Sequence, residues 1–105
     1  MKVEISDRKL KKIIHDKKKL TKEYGPDNAK LIIQRFNELS SIADLGLMIQ
    51  YRIGRCHSLT GNLKGKYALD LQHPMRMIIE PLFEGNQDLL NVVAVRIIEI
   101  GDYHE

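Results

Sequence analysis

Apolar positions recur three and four apart through the first forty or so residues and then switch to alternation. Val3 and Ile5 alternate with polar neighbours and predict a short edge strand. Asp7 can cap a helix, and Leu10, Ile13, Ile14, Leu20 and Tyr24 form its apolar stripe. Gly25-Pro26 stops that helix, and Pro26 suits the first turn of a second one. The second helix presents Ala29, Ile32, Ile33, Phe36 and Leu39 on one face. Two amphipathic helices joined by so tight a turn predict a helical hairpin. From Ile42 to Ile53 the pattern is mixed and reads as a short helix or an irregular segment.

Beyond that point the period is close to two. Tyr67 to Leu71 alternates, as does Met75 to Glu80, and Asn91 to Ile100 is a long β-branched run. Gln72-His73-Pro74 connects the first two strands, which places Leu71 opposite Met75 and Asp70 across from Arg76. Glu84 to Asp88 reads as a looser turn before the last strand. The predicted order is β-α-α-β-β-β, an α+β fold with an antiparallel meander packed on the helical hairpin. Strand parity puts Arg76, Ile78 and Glu80 on one face and Met75, Met77 and Ile79 on the other, against the helices.

Length and composition narrow the class. The 105 residues suit one domain spanning 1–105, and 43% hydrophobic with 30% charged residues is a globular composition. There are no repeats or linker-like stretches. No apolar run approaches the roughly 18 residues of a membrane span, and the N-terminus lacks a signal-peptide core, so a cytoplasmic location without membrane contact is expected. A single cysteine, Cys56, excludes an internal disulfide and fits a reducing compartment. It offers no zinc-finger spacing with the four histidines.

Charge is distributed unevenly. Lys2, Arg8, Lys9, Lys11, Lys12, Lys17, Lys18, Lys19 and Lys22 crowd the N-terminal segment, against Glu4, Asp7 and Asp16. Such a stripe is either a solvated lysine-rich face or a surface for phosphates or an acidic partner. A second basic stretch, Cys56 to Leu71, carries Gly61, Lys64, Gly65 and Lys66, where glycines permit close backbone approach and lysines attract phosphate. Its spacing is not that of a Walker loop.

The chain ends in EIGDYHE, an acid, a phenol and an imidazole directly behind a strand. Together with His57 and Arg76, Asp102-Tyr103-His104 could converge at one edge of the sheet. RNA is cleaved without a metal when its 2′-hydroxyl attacks the adjacent phosphate, which takes a base, an acid and a cation. Histidine suits either proton role, and arginine can serve as the cation, or instead pair across the strands with Asp70.

The segments CHSLTGNLKGKYALDLQHPMRMIIEP and VRIIEIGDYHE resemble the RelE/HigB superfamily of type II toxins, nearest its HigB-like branch, the plasmid maintenance system killer proteins. The motifs that carry this are a histidine two residues before a leucine, a loop with two glycines, a sheet arginine and a terminal Asp-Tyr-His. The resemblance covers nearly the whole chain, with specific motifs only in the last fifty or so residues. It implies a ribosome-dependent endoribonuclease that cuts translated mRNA and needs no metal or other cofactor. It also implies a catalytic set of His57, Arg76, Asp102, Tyr103 and His104, with Arg76 on the scissile phosphate. Lys64 and Lys66, with Lys9, Lys12, Lys18 and Lys19, would then contact mRNA and 16S ribosomal RNA. The implied partners are a helix-turn-helix, HigA-like antitoxin, the ribosome and mRNA, with operator DNA reached only through the antitoxin. Thr60 stands where the family often has lysine, and Met75 where an aromatic is usual. Two other readings remain: a gyrase-poisoning relative on the same fold, and a non-catalytic remnant acting as antitoxin-binding corepressor.

Overall fold

A computed structural model describes residues 1–83 and 88–102. The expected turn at 84–87 and the terminal Tyr103, His104 and Glu105 lie outside the described residues. The strands are β1 (Lys2–Ile5), β2 (His57–Ser58), β3 (Tyr67–Asp70), β4 (Met75–Pro81) and β5 (Ala94–Asp102). The helices are α1 (Arg8–Ile14), α2 (Lys17–Tyr24), α3 (Pro26–Ser41) and α4 (Leu45–Gln50). The sheet order is β1-β5-β4-β3-β2, with β1 parallel to β5 and the other pairs antiparallel. This is the expected α+β architecture, with four helices where two were expected and one strand, β2, beyond the expected four; β1 and β2 flank the predicted meander.

Where a single first helix was expected, there are two. The Asp16 carboxylate accepts hydrogen bonds from the backbone N–H groups of Lys18 (3.0 Å) and Lys19 (3.2 Å), which restarts the helix. An aspartate that satisfies two otherwise orphaned N–H groups favours a new helix start over a continuous helix. The six-residue step from Ile14 to Leu20 in the apolar stripe was the trace of this break. Gly25 ends α2 at φ 83°, and Pro26 opens α3 at its first position, so α2 and α3 form the hairpin.

The mixed segment contains α4, capped by Asp44, whose carboxylate accepts from the Leu47 N–H at 2.9 Å. Leu45 and Met48 on that short helix are fully buried. The last strand begins at Ala94 instead of Asn91 because Leu89–Asn91 forms a tight helical turn. Asp88 caps that turn at the Leu90 N–H, and the Val92 carbonyl accepts from the Leu45 N–H at 3.0 Å. Hydrogen bonds that the β-branched run would have given to a strand go instead to the turn and to α4.

The parity of β4 is as expected. Met77 and Ile79 join Leu69, Val95 and Ile97 in one core with Leu20, Ile32, Leu39, Leu45 and Met48 from the helices. Each such side chain contributes about 1.5–3 kcal/mol on removal from water. The opposite face of the sheet carries a smaller cluster, Leu59, Ala68 and Ile78, with Leu63 and Ile98 against it. Register slips between Ile78 and Ile79, so that Ile78 pairs with Glu99 and Ile79 with Ile97. That bulge turns Ile98 onto the open face while Ile97 and Ile100 stay in the main core.

Candidate phosphate-binding and proton-transfer site

The open face of the sheet is layered along the strands. At one end Glu4, Arg96 and Glu80 form a row across β1, β5 and β4, with Arg96 bridging Glu80 (3.0 Å) and Glu4 (3.2 Å). The small apolar cluster occupies the middle. At the far end lie Asp70, Arg76 and Arg55, with His57 nearby.

The basic loop is held over this face by its own leucines. Leu59 is buried, Leu63 packs beside it, and the Leu59 N–H donates to the Lys66 carbonyl at 3.0 Å. Gly61 and Gly65 supply the positive φ values, 60° and 90°, that let so short a loop turn back. Lys64 is exposed and Lys66 half-buried. Thr60 is exposed as well.

His57 enters the site from β2, opposite Ala68. Its Nδ1 lies 2.7 Å from the Arg55 carbonyl oxygen. A carbonyl only accepts, so Nδ1 carries the proton and donates, which leaves Nε2 of the neutral ring as the basic nitrogen. Arg76 lies in register with Asp70 on β3, as the sequence predicts, and with Gly101 on β5. Its Nε is 3.8 Å from Asp70 Oδ1, an ion-pair separation too long for a hydrogen bond.

Sequence reasoning missed Arg55. Its guanidinium meets the Asp70 carboxylate at two points, Nε to Oδ2 at 2.5 Å and Nη2 to Oδ1 at 3.0 Å. Its backbone is left-handed, with φ 51°, as is that of Arg52 at 53°. Arg35 of α3 joins the group from below, donating from Nε to the Asp70 carbonyl at 2.8 Å and from Nη1 to Glu38 at 2.8 Å. Gly54 makes room for it, because a β-carbon there would sit 2.7 Å from Arg35 Nε. The legible signal was Gly54 between two arginines just before His57; what the sequence could not reveal was their common target.

Partial burial pushes the Asp70 carboxyl up. The hydrogen bond and charge of Arg55, with the charges of Arg76 and His57, outweigh this and hold it below the ordinary carboxylate range. Burial pushes the Cys56 thiol up to about 12, which leaves it protonated and unreactive next to the site.

Asp102 is exposed at the end of β5, in register with Met75, so that Gly101 and not Asp102 is the strand neighbour of Arg76. Met75 packs against the main core, on the face away from Arg76. Tyr103 and His104 lie outside the described residues. Lys9, Lys12, Lys18 and Lys19 are all exposed on α1 and α2. Lys9 lines a cleft of about 190 Å³ with Leu10, Ile13, Tyr24 and Glu99 where α1 and α2 meet the edge of β5. Among the described residues, no three His, Cys, Asp or Glu side chains gather to hold a metal ion, and no helix is long and apolar enough to cross a membrane.

A helical layer on one face of this five-stranded sheet, with a basic loop across the other, is the RelE-like α+β fold. Among solved structures the chain is similar to a YoeB/ParE toxin from Agrobacterium tumefaciens, with a TM-score of 0.62 over 99% of this chain and 100% of that one. Sequence identity is 10%, so the likeness is one of fold. No protein-family model matches the sequence, and a search of curated proteins finds no match.

Proposed function

We propose that this protein is the toxin of a type II toxin–antitoxin pair, of the RelE/HigB kind, and that it cleaves mRNA on the ribosome. The observation that carries the reading is that Arg76 faces Asp70 at one end of the open sheet face, with His57 entering from β2 beside a lysine-bearing loop. In this reading His57 Nε2 takes the proton from the 2′-hydroxyl, whose oxygen attacks phosphorus. The bond to the 5′ oxygen breaks, leaving a 2′,3′-cyclic phosphate, and the terminal Asp102-Tyr103-His104 set delivers the proton that oxygen needs. Arg76 stabilises the charge that builds on the phosphorane. Lys9, Lys12, Lys18, Lys19, Lys64 and Lys66 meet RNA phosphates, including those of 16S RNA, in salt-sensitive contacts. A HigA-like antitoxin neutralises the toxin in the cytoplasm and links the pair to operator DNA.

Induced expression tests this directly. It is expected to stop growth and to fragment mRNA within translated frames, and Arg76→Ala is expected to relieve the arrest while the domain stays folded. Deleting residues 103–105 should cost activity far more than stability. Intact mRNA on translating ribosomes would overturn the reading.

A gyrase-poisoning toxin is the second reading, because the structural neighbour's name joins two kinds of toxin on this fold. Double-strand breaks in DNA, with RNA left whole, would establish it. Absence of any toxicity would point to a remnant that serves only as a corepressor.

A further inference from the structure

We propose that Arg55 and Arg76 form a two-guanidinium cradle for one phosphate of the RNA backbone, and that Asp70 occupies this cradle until the phosphate displaces it. RNA as the ligand rests on the nuclease reading above; the cradle itself requires only a phosphodiester.

The geometry is that of an occupied anion site. A carboxylate offers a guanidinium two oxygens in a plane, and a phosphate offers the same pair. Arg55 already grips Asp70 in this two-point manner, while Arg76 stands at 3.8 Å from the same carboxylate. One negative charge therefore faces two guanidiniums. A phosphodiester entering the cradle gains charge on the way to the phosphorane, and two arginines match that higher charge better than one carboxylate matches two arginines.

The backbone that carries the carboxylate is held from two sides. The Asp70 backbone is pinned by its place in β3 and by Arg35, which Glu38 orients in turn. The side chains are accessible: Arg55 is 57% exposed and Asp70 33%. Because Arg55 opens to solvent and a phosphate offers the same pair of oxygens, an incoming phosphate can exchange with the carboxylate without leaving the guanidinium unpaired. Arg55 and Arg52 hold left-handed backbone conformations on either side of Gly54, a strain that persists only where the surroundings require it. The Arg55 carbonyl also fixes the His57 ring, so phosphate grip and base orientation originate in one residue. The Arg55 side chain can change partners without moving the carbonyl that orients the base.

The test uses the full chain and needs no cleavage. Titration with inorganic phosphate, followed by NMR of arginine Nε–H groups, is expected to shift the Arg55 and Arg76 resonances. Binding of a 2′-O-methyl oligoribonucleotide, which cannot be cut, is then measured by fluorescence anisotropy. Arg55→Ala and Arg76→Ala should each weaken it roughly ten- to a hundredfold, the scale of a lost charged hydrogen bond. Asp70→Asn should tighten it several-fold, since the competing charge is gone. A purely structural Asp70 would give weaker or unchanged binding in Asp70→Asn, and that result overturns the proposal. Should Asp70→Asn fail to fold, an unmoved Arg55 resonance in the native protein at saturating phosphate overturns it equally. Phosphate capture by both arginines, together with intact mRNA on ribosomes, would uphold the cradle and sink the nuclease reading alone.

Discussion

The imidazole of His57 is oriented by the backbone carbonyl of Arg55, 2.7 Å away, and the side chain of that same residue grips Asp70. The base candidate thus depends on a short left-handed segment and not on another side chain. In the neutral ring Nδ1 is expected to carry the proton and Nε2 the lone pair, which long-range nitrogen–proton NMR correlations can read. On the nuclease reading, His57→Ala should lower mRNA cleavage by roughly 10²–10⁴-fold with little change in melting temperature. Undiminished cleavage would remove His57 from the mechanism.

Ile78 is fully buried on the open face, where it anchors the leucines beneath the basic loop. Ile78→Ala should cost about 2–5 kcal/mol in urea unfolding, the range for large-to-small changes at sites that collapse incompletely. The loop should also exchange its amide protons faster. A cost well under ~1 kcal/mol would mean that this second cluster does not hold the loop.

Gly54 sits at φ 61°, and a β-carbon there would lie 2.7 Å from Arg35 Nε. Gly54→Ala combines left-handed strain with displacement of the arginine that pins Asp70, so a loss of about 1–3 kcal/mol is expected by chemical denaturation. Arg35→Ala in the same background should recover part of it, because the steric conflict disappears.

Asp70 has a folded-state pKa below its ordinary value, for although partial burial pushes it up, Arg55 foremost, with Arg76 and His57, pulls it further down. Its contribution to stability is therefore present above the unfolded value of about 3.9 and is lost as pH falls through the lowered folded value. Denaturation midpoints measured from pH ~5 downward should drop less steeply in Asp70→Asn than in the native protein. Identical slopes would refute the linkage.

Cys56 is buried, and its thiol is pushed up to about 12. Iodoacetamide at neutral pH should label it only after unfolding. Because the folded pKa is raised, stability should decline as pH rises from the unfolded value of ~8.5 toward that folded value. A Cys56→Ala variant should lack this alkaline decline.

The local elements were legible because their signals are local. Pro26 after Gly25, the three- and four-residue spacing from Ala29 to Leu39 and the alternation of Met75 to Glu80 each follow from the geometry of one segment. Even the pairing of Asp70 with Arg76 could be read, since a three-residue connection leaves a single register. The helix break at Asp16 was also written in the sequence, as a cap and a misplaced spacing, but a capping preference of about a kcal/mol is easily outvoted by a continuous stripe.

What only the tertiary structure decided is which distant groups share a ligand. The sequence by itself determined an α+β chain with an arginine on the open face and a histidine ahead of a basic loop. It could not show that Arg35, Arg55 and Arg76, from a helix, a strained turn and a strand, all converge on Asp70. Nor could it show that β1 lies parallel to β5, or that Gly101 and not Asp102 stands beside Arg76. The reason is physical: periodicity reports which side of its own element a residue occupies. The meeting of separate elements is settled by how their apolar faces pack and by where the remaining charges find partners.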